Sequence, residues 1–313
     1  MAWQLVRRLL IFVISAVVAS MLVFLVLSGL GNPARTQLGT GATDEAVAQL
    51  SQEMGLDRPL VVQYWDWATG LLHGDFGVSY VQHIPIGPQI SDRLLVTMWL
   101  VLGAMIIALL IAVPLGMASA LWHGRASGYL LSGLSQIGVA VPAFLAAFIL
   151  VAIFSVSLGW LPANGYTVPA ADPGLFVKQM ILPWLSLGLV QGAVLTRYVR
   201  SAVLDEMGQD YLRTARSKGL TPGSALVRHG LRNAAIPVLT VIGVQLVTIL
   251  VGAVVVERIF VIPGIGSYLA DSVSRQDLLA VQGIVVTLVV IALLISFLVD
   301  VAYTLIDPRL RRR

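Results

Sequence analysis

Asp205-Glu206-Met207-Gly208-Gln209-Asp210-Tyr211-Leu212-Arg213-Thr214-Ala215-Arg216-Ser217-Lys218-Gly219-Leu220-Thr221-Pro222 is a polar island between two charge-free runs, Gln179–Thr196 before it and Asn233–Val256 after it. Within the island, acids precede a short helical stretch and cations fill its last turn, the order that complements a helix macrodipole. Gly219 stands where a left-handed residue would end that helix. Thr221-Pro222 reads as an N-cap followed by proline at the first helical position, so a second helix begins at once. It runs to about Arg232 and turns into the next apolar run near Pro237. The first helix is only ~12 Å long. Composition alone supports two readings of it equally: a helix held outside the bilayer by a tight turn, or an amphipathic helix lying on the lipid surface.

The flanking runs decide the class. Hydrophobic residues make up 58% of the 313 and charged residues 12%, against about 45–50% and about 25% in a soluble domain. Disorder, a nucleic-acid-binding domain and an ordinary cytosolic enzyme are excluded, and a polytopic membrane protein remains. Cysteine is absent, which excludes disulfide scaffolds, thiolate metal sites and cysteine nucleophiles. A helix needs about 20 apolar residues to cross the bilayer. On that measure spans are expected at about 9–30, 94–122, 129–158, 179–196, 233–256 and 278–299, the last closed by Asp300. Leu161-Pro162-Ala163-Asn164-Gly165 ends the third, because Pro, Asn and Gly together punctuate a chain. The first run is too long for a signal-peptide core and lacks a clear small-residue cleavage site, so it reads as an anchored helix. The expectation is an all-α membrane protein of six transmembrane helices.

Lys and Arg give the orientation. With the N-terminus inside, 14 of the 20 cations fall in inner segments and 6 in outer ones, the bias of the positive-inside rule. Both termini are therefore expected in the cytoplasm. The net charge of +4 needs no nucleic-acid partner, since inner loops face anionic lipid. The chain divides on this reading into an N-terminus with its first helix (1–30), an extracytoplasmic loop subdomain (31–93), and a core (94–313) holding five further spans and the polar loop 198–232.

The outer loop is too long for a connector. Thr43 reads as an N-cap before Asp44 and Glu45, with Val47, Leu50 and Met54 on one face and Gly55 as the stop. Pro59 opens a second short helix through Trp65 and Trp67 to about Gly74. These two tryptophans suit either an interfacial anchor or a binding face. Gly74-Asp75-Phe76-Gly77 is a turn, and Pro85 to Arg93 leads into the second span.

Tyr211 to Leu220, then His229, then Leu231-Arg232-Asn233-Ala234-Ala235-Ile236-Pro237, resembles the EAA loop of ABC importer permeases. More closely, it resembles the B-type permease subunit of dipeptide and oligopeptide importers. Other motifs agree in order along nearly the whole chain: Met54-Gly55-Leu56-Asp57-Arg58-Pro59, Gln63-Tyr64, Gly74 to Ser79, Glu257-Arg258-Ile259-Phe260, Pro263-Gly264-Ile265-Gly266, Asp271 and Asp277, Val281-Gln282-Gly283-Ile284, and Asp300 and Tyr303 before Asp307-Pro308-Arg309. Ala215 keeps the small residue where other EAA loops begin Glu-Ala-Ala.

The resemblance implies a type I ABC importer permease in a bacterial inner membrane, forming half of a path for di- or oligopeptides. It implies a second homologous permease subunit, two ATPase subunits that hold ATP and Mg, and an extracytoplasmic binding protein. It assigns Asp210, Tyr211, Arg213, Thr214, Ala215, Arg216, Lys218, Gly219 and His229 to ATPase coupling. Pro263, Gly264, Ile265 and Gly266 become candidates for docking the binding protein, with a re-entrant packing element as the competing reading. Relatives of this pattern also move nickel chelates, glutathione, haem or oligosaccharides, so the solute stays open. The chain itself is expected not to be an enzyme, with ATP bound by another subunit: neither Lys178 nor Lys218 stands in a Gly-x-x-x-x-Gly-Lys-[Ser/Thr] loop.

The path itself is faintly written. Gln191, Gln245 and Thr248 are polar groups inside spans, suited either to a wet path or to bonds between helices. Ala104, Ala108, Ala112, Gly116 and Ala120 recur every four residues, and with Gly188 and Gly192 they read as surfaces of close helix packing. Pro114 and Pro142 are either hinges or packing kinks. A secondary transporter is the rival from another class, but it should carry ionisable groups at mid-membrane, and Asp300 is the only acid that the sequence places near a span. A hydrolase would need clustered groups, whereas His73, His83, His123 and His229 lie in separate loops.

Overall fold

The computed structural model describes residues 2–29, 31–39 and 41–306; Asp307-Pro308-Arg309 and the arginines after it lie outside them. Among the described residues there are helices, turns and one isolated antiparallel bridge, Val78 to Pro85. The helices are α1 (Ala2–Ser28), α2 (Pro33–Leu38), α3 (Asp44–Glu53), α4 (Leu60–Leu72), α5 (Ile86–Leu121), α6 (Ala126–Ala140), α7 (Ala143–Leu150), α8 (Pro173–Met207), α9 (Asp210–Ser217), α10 (Pro222–Ala225), α11 (Leu231–Ile259), α12 (Ile265–Ser274) and α13 (Leu278–Ile306). Two wider π-helical turns succeed α7 and α10, at Val151–Ser157 and Leu226–Gly230.

Among the described residues, five helical stretches are long and apolar enough to cross a membrane: Val6–Ser28, Ile86–Leu121, Pro173–Met207, Pro222–Ile259 and Leu278–Tyr303. The expected third span is not one rod. Ala126–Ala140 and Ala143–Ser157 meet at 98° and reach spanning length only as a pair. Proline explains the break. Pro142 has no N–H to donate, and it drives Val141 before it to extended backbone, φ −85° and ψ 119°. Conversely, the turn expected near Pro237 is absent: that proline sits inside α11, and the chain runs from Pro222 through the π turn to Ile259. The expected fourth span of 179–196 is the middle of a 35-residue helix.

The chain forms two compact units. One comprises Thr97–Pro263 with the last turns of α13. Here α8 is central and packs on α6, α7 and α11. The small-residue stripe of α5 lies against it. A Cβ added to Gly188 would stand 2.9 Å from the Ala104 carbonyl oxygen, and one on Gly116 would stand 2.9 Å from that of Thr196. Ala104, Ala108 and Ala112 are fully buried. The stripe is therefore a packing seam, where missing side chains let two backbones approach. Trp184 adds a bond across the same seam, donating Nε1–H to the Trp99 carbonyl at 3.0 Å.

The other unit comprises Ala2–Val96 and Gly264–Phe297. Thr43 caps α3 as expected, accepting from Ala46 N at 3.3 Å, and Gly55 comes after it with φ +68°. The two tryptophans of α4 part company. Trp65 is exposed, whereas Trp67 and Tyr64 lean on Phe24 of α1 with ring centroids 5.9 and 5.5 Å apart. Tyr64 also meets the Ser20 hydroxyl at 2.9 Å. Ile86, Ile90, Ile265, Tyr268, Ala280 and Ile284 form this unit's core. Asp277 caps α13 and accepts a hydrogen bond from the buried Ser79 hydroxyl, tying the 77–86 turn to that core.

Candidate functional site

The polar island folds as α9 set between the end of α8 and the start of α11. Leu212 is its one buried side chain, 2% exposed. It fits because Gly230 has no side chain: a Cβ there would lie 3.1 Å from Leu212 Cδ1 and 3.1 Å from Leu226 Cδ1. A polar clamp backs this apolar seat. The Tyr211 hydroxyl donates to the Glu206 carboxylate of α8. Asn233 of α11 donates its Nδ2–H to Tyr211 Oη at 3.1 Å and to Glu206 Oε1 at 3.3 Å. Burial, and then the Glu206 carboxylate, hold the Tyr211 hydroxyl above its ordinary value of 10.0. It therefore keeps its proton at every pH near neutrality. The stability that it contributes is complete below pH 10.0 and fades only as the pH rises above that.

The C-terminal end of α9 closes on Gly219, whose φ of +95° is the left-handed geometry that the sequence suggested. Thr221 then caps α10, accepting from Ser224 N at 3.3 Å. Asp210, Arg213, Thr214, Arg216 and Lys218 are exposed, Ala215 is half-buried, and His229 is exposed on the π turn. Arg213 and Asp210 approach to 3.9 Å on this open surface, an ion pair contributing under ~1 kcal/mol. So α9 is anchored by one leucine and one tyrosine and offers the rest of its surface outward. We expect Tyr211→Phe, which removes the clamp's central hydroxyl, to lower solute uptake into membrane vesicles severalfold. Arg213→Ala should lower it less than twofold in the same assay.

Glu206, Leu212, Asn233 and Gly230 were not among the residues singled out from the sequence. The signal for Leu212 was present, as a lone apolar residue among polar neighbours in a short helix. The clamp was not legible, because its three members are 22 to 27 positions apart or on different helices.

The three intramembrane polar residues separate. Gln191 and Gln245 are buried, at 8% and 9% exposure. Thr248 is exposed and satisfies its hydroxyl on its own helix, bonding the Val244 carbonyl at 3.0 Å. Gln191 Oε1 is buried without a hydrogen-bond partner among the described residues. At the other end of α11 the structure corrects the reading that Asp300 is the only acid near a span: Glu257 is wholly buried there and accepts from the Thr97 hydroxyl at 2.5 Å. Of the docking candidates, Pro263 is exposed, whereas Gly264, Ile265 and Gly266 are buried, and Gly264 is the N-cap of α12. Within its unit Ile265 is a core residue.

Sequence comparison gives this arrangement its context. Residues 112–312 match the family of binding-protein-dependent transport system inner membrane components, and residues 1–101 match that family's N-terminal region. The chain belongs to that family. It is 40% identical over 306 residues to the glutathione transport system permease protein GsiC of Salmonella typhimurium, covering 97% of each chain. It is 37% identical over 307 residues to the protein of the same name from Escherichia coli K12, covering 98% of each. Among solved structures, an amino acid ABC transporter matches with a TM-score of 0.53 at 17% identity, over 72% of this chain and 94% of that one. The MetNI methionine ABC transporter, in an inward-facing form, matches with a TM-score of 0.56 at 15% identity, over 70% and 96%. The permease component is thus a multi-pass inner-membrane protein with the fold of ABC importer permeases, and ATP hydrolysis is the task of a separate subunit. The buried Glu257 does not revive the secondary-transporter reading, since family membership covers the residues on both sides of it.

Proposed function

We propose that this permease component forms half of the path of an ATP-driven importer for small peptides, and that α9 is where an ATPase subunit engages it. The observation that carries the reading is the seating of α9. A short helix fixed to both α8 and α11 through Leu212 and the Tyr211–Glu206–Asn233 clamp moves as one piece with two membrane-crossing helices. A push on its exposed face is therefore a push on the helices that would line the path. ATP and Mg bound by the partner would favour one of two arrangements, and the seated helix would carry that bias inward. The partners are a second permease subunit, two ATPase subunits and an extracytoplasmic binding protein, with Pro263 on the face offered to the last. Both termini are cytoplasmic on this reading.

Glutathione is itself a small peptide, so the names of the relatives support a peptide-class solute and make glutathione the first to try. The test is uptake by proteoliposomes holding the complete complex and its binding protein, with labelled glutathione competed by dipeptides and by oligopeptides. Uptake that needs ATP and is competed by peptides supports the proposal. ATP-driven uptake of a nickel chelate or an oligosaccharide alone would replace the solute and keep the architecture. Orientation has its own test, favoured by a chain with no native cysteine. The single variant Ser51→Cys should react with an impermeant thiol reagent from outside the cell, and labelling only from the cytoplasm would reverse the topology.

A further inference from the structure

We propose that the outer end of α1 carries a built site for one glycerophospholipid of the surrounding membrane. A cavity of about 510 Å³ lies there, wholly within the unit that holds α1, α3, α4 and most of α13. That volume is within the ~300–1,000 Å³ range of small-ligand sites. Its walls have two characters. Phe24 and Leu27 of α1, with Leu279 of α13, give an apolar side. The same lining holds Trp67, stacked beside Phe24, together with Gln282, one turn along α13 from Leu279, and Arg58.

Two of these polar groups are unspent. Gln282 is 8% exposed, and its Nε2 is buried without a hydrogen-bond partner among the described residues; the same holds for the buried Trp67 indole Nε1. Both are N–H donors, so what they lack is an acceptor. Buried donors are as a rule satisfied, and two of them lining one cavity ask for a molecule with several acceptor oxygens. Arg58 adds a cation whose Nη1–H is donated to Asp66 at 2.7 Å, so the lining offers both charge signs side by side. A phosphate would be drawn to Arg58, and a headgroup ammonium to Asp66.

The apolar wall selects among acceptors. Phe24 and Leu27 close a helix whose sides are otherwise a continuous exposed apolar surface, from Leu9 through Val26. That surface is hydrocarbon-facing in a membrane. An acyl chain lying along α1 would lead directly to the cavity, where ester and phosphate oxygens meet the indole and amide N–H groups. Free phosphate would use the donors and leave the apolar wall bare.

The complete importer complex in nanodiscs containing a photoactivatable phosphatidylethanolamine analogue tests this. Cross-links should map to the segments around residues 54–67 or 278–282. Gln282→Leu, which removes its donor with little change of shape, and Trp67→Phe, which removes the indole N–H and one ring while keeping an aromatic face toward Phe24, should each reduce those cross-links threefold or more. Asp44→Asn, in α3 and outside the cavity lining, should not. Excess inorganic phosphate should fail to compete. Cross-links confined to other segments, yields unchanged by both donor variants, or displacement by inorganic phosphate alone would each overturn the proposal. If Gln282→Leu fails to assemble, the yield with Trp67→Phe decides by itself. Neither outcome depends on the solute or on ATP, so the site can fail while the importer reading stands.

Discussion

Leu212→Asp is expected to abolish uptake while leaving every membrane-crossing helix inserted. Burying one leucine contributes ~1.5–3 kcal/mol, and α9 has only this one buried side chain. A carboxylate in its place would have to lose its charge or leave the seat beside Gly230 and Leu226. Leaving is the easier course for a helix of eight residues with turns at both ends. The clamp through Tyr211 would then hold α9 by hydrogen bonds alone. Vesicle uptake should fall at least tenfold, and co-purified ATPase subunits should fall with it. Leu212→Met, which keeps the volume, should retain most of both. Near-normal uptake with Leu212→Asp would show that α9 transmits no force. Ala215→Trp and Gly219→Val should act in the same direction for different reasons. The first puts an indole on a half-buried position of the outward surface. The second forces a β-branched residue into φ +95°, although the space around it is open.

The second large effect is expected at the seam between α5 and α8. At Gly188 even an alanine Cβ would meet Ile107 Cγ2 at 2.7 Å and the Ala104 carbonyl at 2.9 Å. One of those contacts is backbone, so no rotamer change relieves it and the helices must separate. Overpacking of this kind costs typically ~1–3 kcal/mol. We expect Gly188→Ala to lower the thermal midpoint of the purified complex by several degrees, and Gly188→Leu to prevent its assembly. Gly133→Ala in α6 is the control. It meets nothing within 4 Å, and replacing glycine in a helix is favourable by ~1 kcal/mol. Equal stability of Gly188→Leu and the unaltered chain, measured by size-exclusion after heating, would remove the seam as the packing device.

Much of this architecture could be read from the chain because the physics behind it is local or periodic. Apolar runs report spans, the four-residue repeat of small side chains reports a seam, and Thr43, Gly55, Gly219 and Thr221-Pro222 report helix ends through their own backbone preferences. The features that escaped depend on neighbours distant in sequence. Pro142 breaks its helix whereas Pro114, Pro183 and Pro237 do not, and nothing within a few residues of each proline announces the difference. Glu257 follows directly on the charge-free run Asn233–Val256, where the sequence alone singles out Asp300 as the only acid near a span, yet it is buried and bonded to a threonine 160 positions away. Pro263-Gly264-Ile265-Gly266 suits either docking or packing in the sequence, because the partners of Ile265, which are Ile86, Ile90 and Ile284, lie in other helices. The α9 surface was legible as a surface, while the residues that hold it in place were not.

The widened turn Leu226–Gly230 has a consequence for how this chain can change. A helix advances ~100° per residue, so adding or deleting one residue normally swings the helix on one side of the change out of phase with the helix on the other. A π turn is an α-helix with one residue of slack taken up in a single loop of backbone. Here the slack lies between Thr221-Pro222 and α11, with Gly230 as both its last residue and the floor of the Leu212 seat. Deleting Val227, which is exposed, would leave an ordinary helix of undiminished regularity. Because the slack is absorbed within that one turn, α10 and the strap that leads back to α9 would keep nearly the same facing about the axis of α11. The angle at which α9 is presented is thus buffered against a change in the count of residues: the spare residue sits in the π turn, and a single-codon deletion there would remove it without swinging α9.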